Sequence, residues 1–373
     1  TRKESSAASD VYKRQASGVG PGDRVAAYLP NMPIAIAAML AATSLGAVWC
    51  SASPDFGPRG VLDRFGQIEP KLLITVDAYW YAGKKNPLGD RLAEIVAALP
   101  SVGKVVVADL CGDAATVAAN LPNGTTLEAY IAPFEAGEPT FERLPFDHPV
   151  YILFSSGTTG VPKCIVHRAG GVLLQHLKEH ALHADVHAGD RLFYFTTLGW
   201  MMWNWLASGL ATGATLLLYD GSPFHPGPAV LFDYAEKERM THFGTSAKYI
   251  DAVKKAGLTP HQTHDLSRLR AMMSTGSPLV AESFDFVYRS IGPDLHLASI
   301  SGGTDIVSCF VLGDPTQPVR RGEIQGPGLG LSVEVWTEDG KRAPTGEKGE
   351  LVCTKPFTAM PLQFWNDPGA VSY

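Results

Sequence analysis

Residues 155–163 read Ser-Ser-Gly-Thr-Thr-Gly-Val-Pro-Lys, which puts four hydroxyls, two glycines and a lysine in one short stretch. Glycine lets backbone N–H groups approach a charged oxygen, hydroxyls add donors, and an ammonium adds a point charge. Ser155, Ser156, Gly157, Thr158, Thr159, Gly160 and Lys163 are therefore expected to cradle phosphate. Residues 151–154, Tyr-Ile-Leu-Phe, are apolar and β-prone and read as a buried strand feeding the loop. A flexible linker would need neither that strand nor the Pro162–Lys163 closure. The Walker phosphate loop requires G-x-x-x-x-G-K-[ST]. Pro162 stands where its last glycine should be, and Cys164 follows the lysine, so a P-loop nucleotide hydrolase is excluded.

Three further stretches bear on this loop. Residues 299–305, Ser-Ile-Ser-Gly-Gly-Thr-Asp, follow a strand pattern and end on a hydroxyl and a carboxylate. Mg²⁺ takes one or two carboxylates together with phosphate oxygens, so Thr304 and Asp305 suit a metal beside phosphate. By itself the stretch has a less favoured reading as a turn that caps a helix. Residues 197–205, Thr-Leu-Gly-Trp-Met-Met-Trp-Asn-Trp, are rich in aromatic and methionine side chains, which are more often core than pocket. Residues 274–278, Ser-Thr-Gly-Ser-Pro, are small enough to admit a flat ring against the backbone. His176, His180, His183 and His187 recur at helical spacing, but the glutamate of H-E-x-x-H is missing, since Leu177 follows His176. A partly exposed helix face is expected there rather than a metal site. His167 is read as structural.

The loop resembles the signature of the adenylate-forming enzymes, [ST]-S-G-[ST]-T-G-x-P-K-G, and departs from it only at Cys164. The resemblance extends from Gly18 to Tyr373. It implies ATP and CoA as co-substrates, Mg²⁺, and a carboxylic acid that is first adenylated and then passed to a thiol. On that resemblance Lys163, Thr304 and Asp305 are catalytic, with Thr304 and Asp305 at the metal. Gly276, Ser277, Pro278 and Gly303 lie on the nucleotide side, and Gly199, Trp200, Met201, Met202 and Gly302 wall the acyl pocket. Family members that activate acetate carry tryptophan at the position of Gly302. Its loss implies a longer pocket and a roughly four-carbon acid. The patterns at 220–224, 241–250 and 299–308 resemble the acetoacetate-activating members, with Ser277 and Ser301 as candidates for the 3-keto oxygen. The family's T-G-D motif, and its small C-terminal lid domain with a catalytic lysine, have no counterpart in these 373 residues, so little thioester formation is expected from them alone. Other short-chain or carrier-loading ligases, and a non-catalytic nucleotide binder, are the alternatives.

These residues must be held by a regular scaffold. Strand patterns at 24–29, 47–51, 71–76 and 104–108 alternate with helical ones, which predicts an α/β subdomain with a mostly parallel sheet over residues 16–146. Residues 111–146 read as a looser connection. A second α/β subdomain is expected over 147–320 and a partial β unit over 321–373, while residues 1–15 are expected to be foreign to the fold or disordered. The net charge of −6, with no basic run, argues against nucleic acid. The most apolar window, 34–50, contains Thr43, Ser44 and Gly46 and is shorter than a membrane span needs. Five scattered cysteines without C-x-x-C suggest reduced thiols and a cytoplasmic setting.

Overall fold

The computed structural model describes residues 18–134, 137, 141–155 and 160–371. Residues 1–15 and the loop centre, Ser156, Gly157, Thr158 and Thr159, lie outside that set.

The first strands are β1 (Arg24–Tyr28), β2 (Val48–Ala52) and β3 (Leu72–Val76), each buried over nearly its whole length. Continuous burial of this kind marks a parallel sheet covered on both faces. Helices Pro33–Ser44 and Pro58–Ile68 connect them, each opening on proline, whose missing N–H has no intrahelical role at that position. A hairpin of β4 (Ala78–Tyr81) and β5 (Lys84–Pro87) precedes β6 (Lys104–Ala108). The stretch expected to be a loose connection then carries helix Ala114–Ala119, β7 (Gly124–Thr126) and helix Leu127–Ile131. β7 has no apolar run to betray it; its pairing with β6 at the sheet edge makes it a strand.

β8 (Pro149–Phe154) and β9 (Cys164–Arg168) form an antiparallel hairpin. Next come β10 (Arg191–Tyr194), β11 (Thr215–Leu217), β12 (His242–Ser246), β13 (Ala271–Thr275) and β14 (His296–Ser299), which form a five-stranded parallel sheet in the order β11-β10-β12-β13-β14. Helix Ala247–Lys255 ends before Gly257, which takes the left-handed conformation (φ 70°) of a helix stop. β15 (Ser301–Gly303), β16 (Ser308–Leu312) and β17 (Gly326–Pro327) make a small antiparallel sheet. β18 (Val333–Trp336) pairs with β19 (Glu350–Cys353), and β20 (Gln363–Phe364) returns to pair with β9.

The larger sheet therefore runs β20-β9-β8-β2-β1-β3-β6-β7. This corrects the expected boundaries. β8 and β9 lie beyond residue 146, yet they complete the first sheet, with β8 parallel to β2 through Trp49 and Tyr151. β20 likewise leaves the expected C-terminal unit. An apolar strand does not encode its neighbour, so local pattern could not have assigned it.

Three apolar clusters fill the molecule. One surrounds the larger sheet. The other two lie on opposite faces of the smaller sheet, where Phe193 serves one cluster and its neighbours Leu192 and Tyr194 the other. Met202, Leu216 and Leu218 touch both the first and third clusters and so join the sheets. Asn31 reinforces that seam: its Oδ1 accepts from Trp203 Nε1 at 3.0 Å and its Nδ2 donates to Tyr219 O at 3.4 Å.

Candidate phosphate and metal site

The stretch expected to cradle phosphate connects the strands of the β8–β9 hairpin. Its mouth is closed at both ends: Ser155 N donates to Lys163 O at 3.0 Å and Lys163 N donates to Ser155 Oγ at 2.9 Å. Gln67 Nε2, near the end of helix Pro58–Ile68, donates to Pro162 O at 2.9 Å and anchors the buried proline. These bonds fix the two ends of the connection. Gly160 is exposed and nothing lies near the position of its missing Cβ. The Lys163 side chain is exposed, sits 5.1 Å from the Phe364 ring centroid, and makes no ion pair with a described residue. An ammonium held over a ring face keeps its charge available to an anion.

The Thr304–Asp305 turn lies beside this hairpin. His167, on β9, is fully buried and its ring lies against the Thr304 backbone. Burial pushes its imidazole down to about 3, with the neighbouring His176 adding to the effect, so the ring is neutral. Neither ring nitrogen of His167 has a hydrogen-bond partner among the described residues. Asp305 is exposed and makes no ion pair with a described residue; Thr304 is half-buried. A Cβ on Gly303 would come within 3.3 Å of Asp305 Oδ2, so glycine there leaves the carboxylate room. One open carboxylate and one hydroxyl fit a hard cation that draws its remaining oxygens from phosphate and water. Among the described residues no group of three or more His, Cys, Asp or Glu side chains could hold a metal without such help.

The nucleotide-side stretch stands next to this turn. β13 and β14 are parallel neighbours with Ser274 opposite Ser299, and both run out at their carboxyl ends, where ligands of open α/β sheets bind. Thr275 Oγ1 donates to Ile300 O at 3.0 Å and ties the two ends together. Gly276 adopts φ 84° and is exposed, Ser277 is half-buried and Pro278 exposed.

The acyl-side residues divide. Gly199 is set by close packing, because a Cβ there would lie 2.8 Å from Phe56 Cζ. Trp200 is 63% exposed, whereas Met201 is buried in the first cluster and Met202 bridges two clusters. Gly302 does not open a pocket in the direction its side chain would take. A Cβ there would lie 2.0 Å from Ser308 O and 2.4 Å from Cys309 Cα, so the space belongs to the backbone of β16. Ser301 is exposed.

The histidine series is not a partly exposed face. His176, His180 and His183 are buried and each bonds a backbone carbonyl: Val307 O at 2.6 Å, Trp205 O at 2.9 Å and Gly313 O at 2.7 Å. His183 also accepts from Leu329 N at 3.0 Å, which leaves its proton on Nδ1. Only His187 is exposed, 2.9 Å from Asp185. Between these rings lies Glu179, a buried carboxyl that sequence reasoning missed, since a glutamate on a helix is ordinarily solvated. Also missed was a cleft of about 490 Å³ at the β4–β5 hairpin, lined by Asp55, Tyr79, Tyr81, Ala82, Lys84 and Asn86.

The hairpin that carries Ser155 and Lys163, the exposed Asp305 turn and the carboxyl ends of the parallel sheet belong to a fold of the AMP-binding class. The family model described as AMP-binding enzyme matches residues 14–361, and the chain belongs to that family. Among its relatives, the acetoacetyl-coenzyme A synthetase of Rhizobium meliloti is 64% identical over 359 residues, which cover 96% of this chain and 55% of the relative. The acetoacetyl-CoA synthetase of Gallus gallus is 50% identical over 95% of this chain and 54% of its own. The solved structure of acetoacetyl-CoA synthetase from Streptomyces lividans superposes with a TM-score of 0.93 at 47% identity, covering 99% of this chain and 56% of that one. The chain thus spans about half the length of the relatives it matches.

Proposed function

We propose that this chain forms the ATP- and acid-binding part of a ligase that joins acetoacetate to CoA. The observation that carries the reading is the juxtaposition of an exposed Asp305, without an ion-pair partner among the described residues, with the β8–β9 hairpin, whose His167 ring lies near the Thr304 backbone. The relatives' names supply the acid.

In the first half-reaction a carboxylate oxygen of acetoacetate bonds to the α-phosphorus of ATP, and the α-phosphorus–oxygen bond to diphosphate breaks. In the second, CoA thiolate adds to the acyl carbon and AMP leaves. The chain's own residues act mainly by positioning and charge. Lys163 and the hairpin loop hold the β- and γ-phosphates, Gly276 and Ser277 receive the nucleotide, and Thr304 and Asp305 hold Mg²⁺. The metal, when bound, neutralises the charge gathering on the departing diphosphate. Among the described residues no helix is long and apolar enough to cross a membrane. All five cysteines are free, and three are buried, which supports a reducing, cytoplasmic setting.

The test is isotope exchange between ATP and pyrophosphate, run on a protein of the relatives' length that carries this sequence. Acetoacetate, acetate, butyrate and 3-hydroxybutyrate are compared. Acetoacetate should support exchange at least about tenfold faster than the others, the scale set by a polar group that only the right substrate satisfies. Equal exchange with butyrate would leave a short-chain ligase of different specificity, and no exchange with any acid would end the ligase reading.

A further inference from the structure

We propose that Glu179, together with His176 and Ser308, is a positioning group for the metal end of the site, holding the segment behind Thr304 and Asp305 in place. The inference rests on the reading above, that Asp305 and Thr304 hold Mg²⁺ with ATP.

The chain leaves β9 directly into helix Ala169–Lys178, which widens at Glu179–His183 into a π-helical turn closed by Ala184 N donating to Glu179 O at 2.9 Å. π-helical turns are rare and are frequently found at functional sites. Here the first residue of the turn is Glu179. Its Oε1 accepts from Gln175 Nε2 at 3.0 Å, from Ser308 Oγ, and from Cys309 N at 3.4 Å; its Oε2 accepts from Trp205 Nε1 at 2.9 Å. One turn earlier, His176 Nε2 donates to Val307 O at 2.6 Å while its Nδ1 bonds Ser208 Oγ at 2.7 Å. Three consecutive residues, Val307, Ser308 and Cys309, are therefore gripped from one side by the helix that follows the phosphate hairpin.

That grip acts on a segment that needs one. Val307 is β-branched yet adopts φ 49°, a conformation such residues avoid. It closes the turn that begins at Thr304, whose carbonyl accepts from Val307 N at 3.2 Å, and Asp305 lies inside that turn. A buried carboxyl and a buried imidazole are costly ways to fill a core, and apolar side chains would fill it at least as stably. What the polar pair adds is direction. It locks the Asp305 turn to the element carrying Lys163, so the distance between ammonium and carboxylate is set by one rigid unit. Outer-shell partners of this kind orient metal ligands.

The experiment is calorimetric titration with ATP of a protein of the relatives' length that carries this sequence, once with Mg²⁺ and once with EDTA, alongside thermal melting. The quantity read is the factor by which Mg²⁺ tightens ATP. Glu179→Gln keeps the shape but turns an NH₂ toward a donor; Ser308→Ala removes one hydroxyl and is the gentler change should the first fail to fold. Both should reduce the Mg²⁺ factor by about tenfold, while affinity in EDTA stays within about twofold. A lower melting temperature with the Mg²⁺ factor intact in both variants would make the network structural only and overturn the proposal. Asp305→Ala separates the two levels. If it too keeps the Mg²⁺ factor, the metal reading itself falls; if it loses the factor while both network variants keep it, only the positioning role falls.

Discussion

At the scale of single residues, Lys163 carries the most direct consequence. Its ammonium has no carboxylate partner among the described residues, and its backbone is pinned on both sides by Ser155. Lys163→Ala should leave the hairpin closed, because both pinning bonds use main-chain atoms of residue 163. The loss of charge should slow adenylation by about 10²-fold or more, as removal of a preorganised stabiliser of developing charge does elsewhere. Pyrophosphate exchange measures this, and a variant with undiminished exchange would remove Lys163 from the site. The hydroxyls, glycines and lysine of residues 155–163 were legible in sequence because they lie within nine consecutive positions. Glu179 was not, since its burial depends on β16 and helix Met201–Ser208 arriving from more than twenty residues away.

Among elements, the β15–β16 pair shows how one glycine can mislead. Read as a missing indole, Gly302 promised space; in the fold it marks a close approach of two backbones at a register shift. Gly302→Ala should destabilise the chain by about 1–3 kcal/mol, since its methyl would overlap a carbonyl oxygen that cannot move without breaking the ladder. Thermal melting gives the answer, and an unchanged transition would mean the strands separate freely. The same local logic explains which elements sequence revealed. The helices opening at Pro33 and Pro58, and the strands with continuous apolar runs, carry their own signals, whereas β7, β20 and the β4–β5 hairpin are strands because of what they pair with.

Over the whole molecule, two features join the sheets and tune stability. Asn31 spans the seam, and Asn31→Ala would strand the Trp203 indole N–H in the core. That should cost about 1–3 kcal/mol in denaturant unfolding, the penalty of an unmet buried donor. Acid sensitivity is the second. Burial pushes His167 and His180 each down to about 3, from an ordinary value of 6.5. Between those limits the unfolded chain binds protons that the folded chain refuses, so stability falls as pH drops below about 6.5 and is unaffected by these groups above it. Each ring contributes a slope of about 1.4 kcal/mol per pH unit in that window. Asp220, raised to about 6 mainly by burial, opposes this as one group against several, since burial also lowers His176, His183 and His242. The urea midpoint should therefore drop markedly between about pH 7 and about pH 5; a flat profile would show that these rings protonate without leaving the fold.

The sequence alone determined the family and the α/β class, and it singled out residues 155–163 and the Thr304–Asp305 pair as candidates, because each depends on residue types at short spacing. Tertiary structure decided that the β8–β9 hairpin closes the first sheet rather than opening a second, that the side-chain direction of Gly302 runs into the backbone of β16, and that a buried Glu179 bonds the segment behind Thr304 and Asp305. Those outcomes depend on which distant backbone fills a given space, and no local pattern records its neighbour across a sheet.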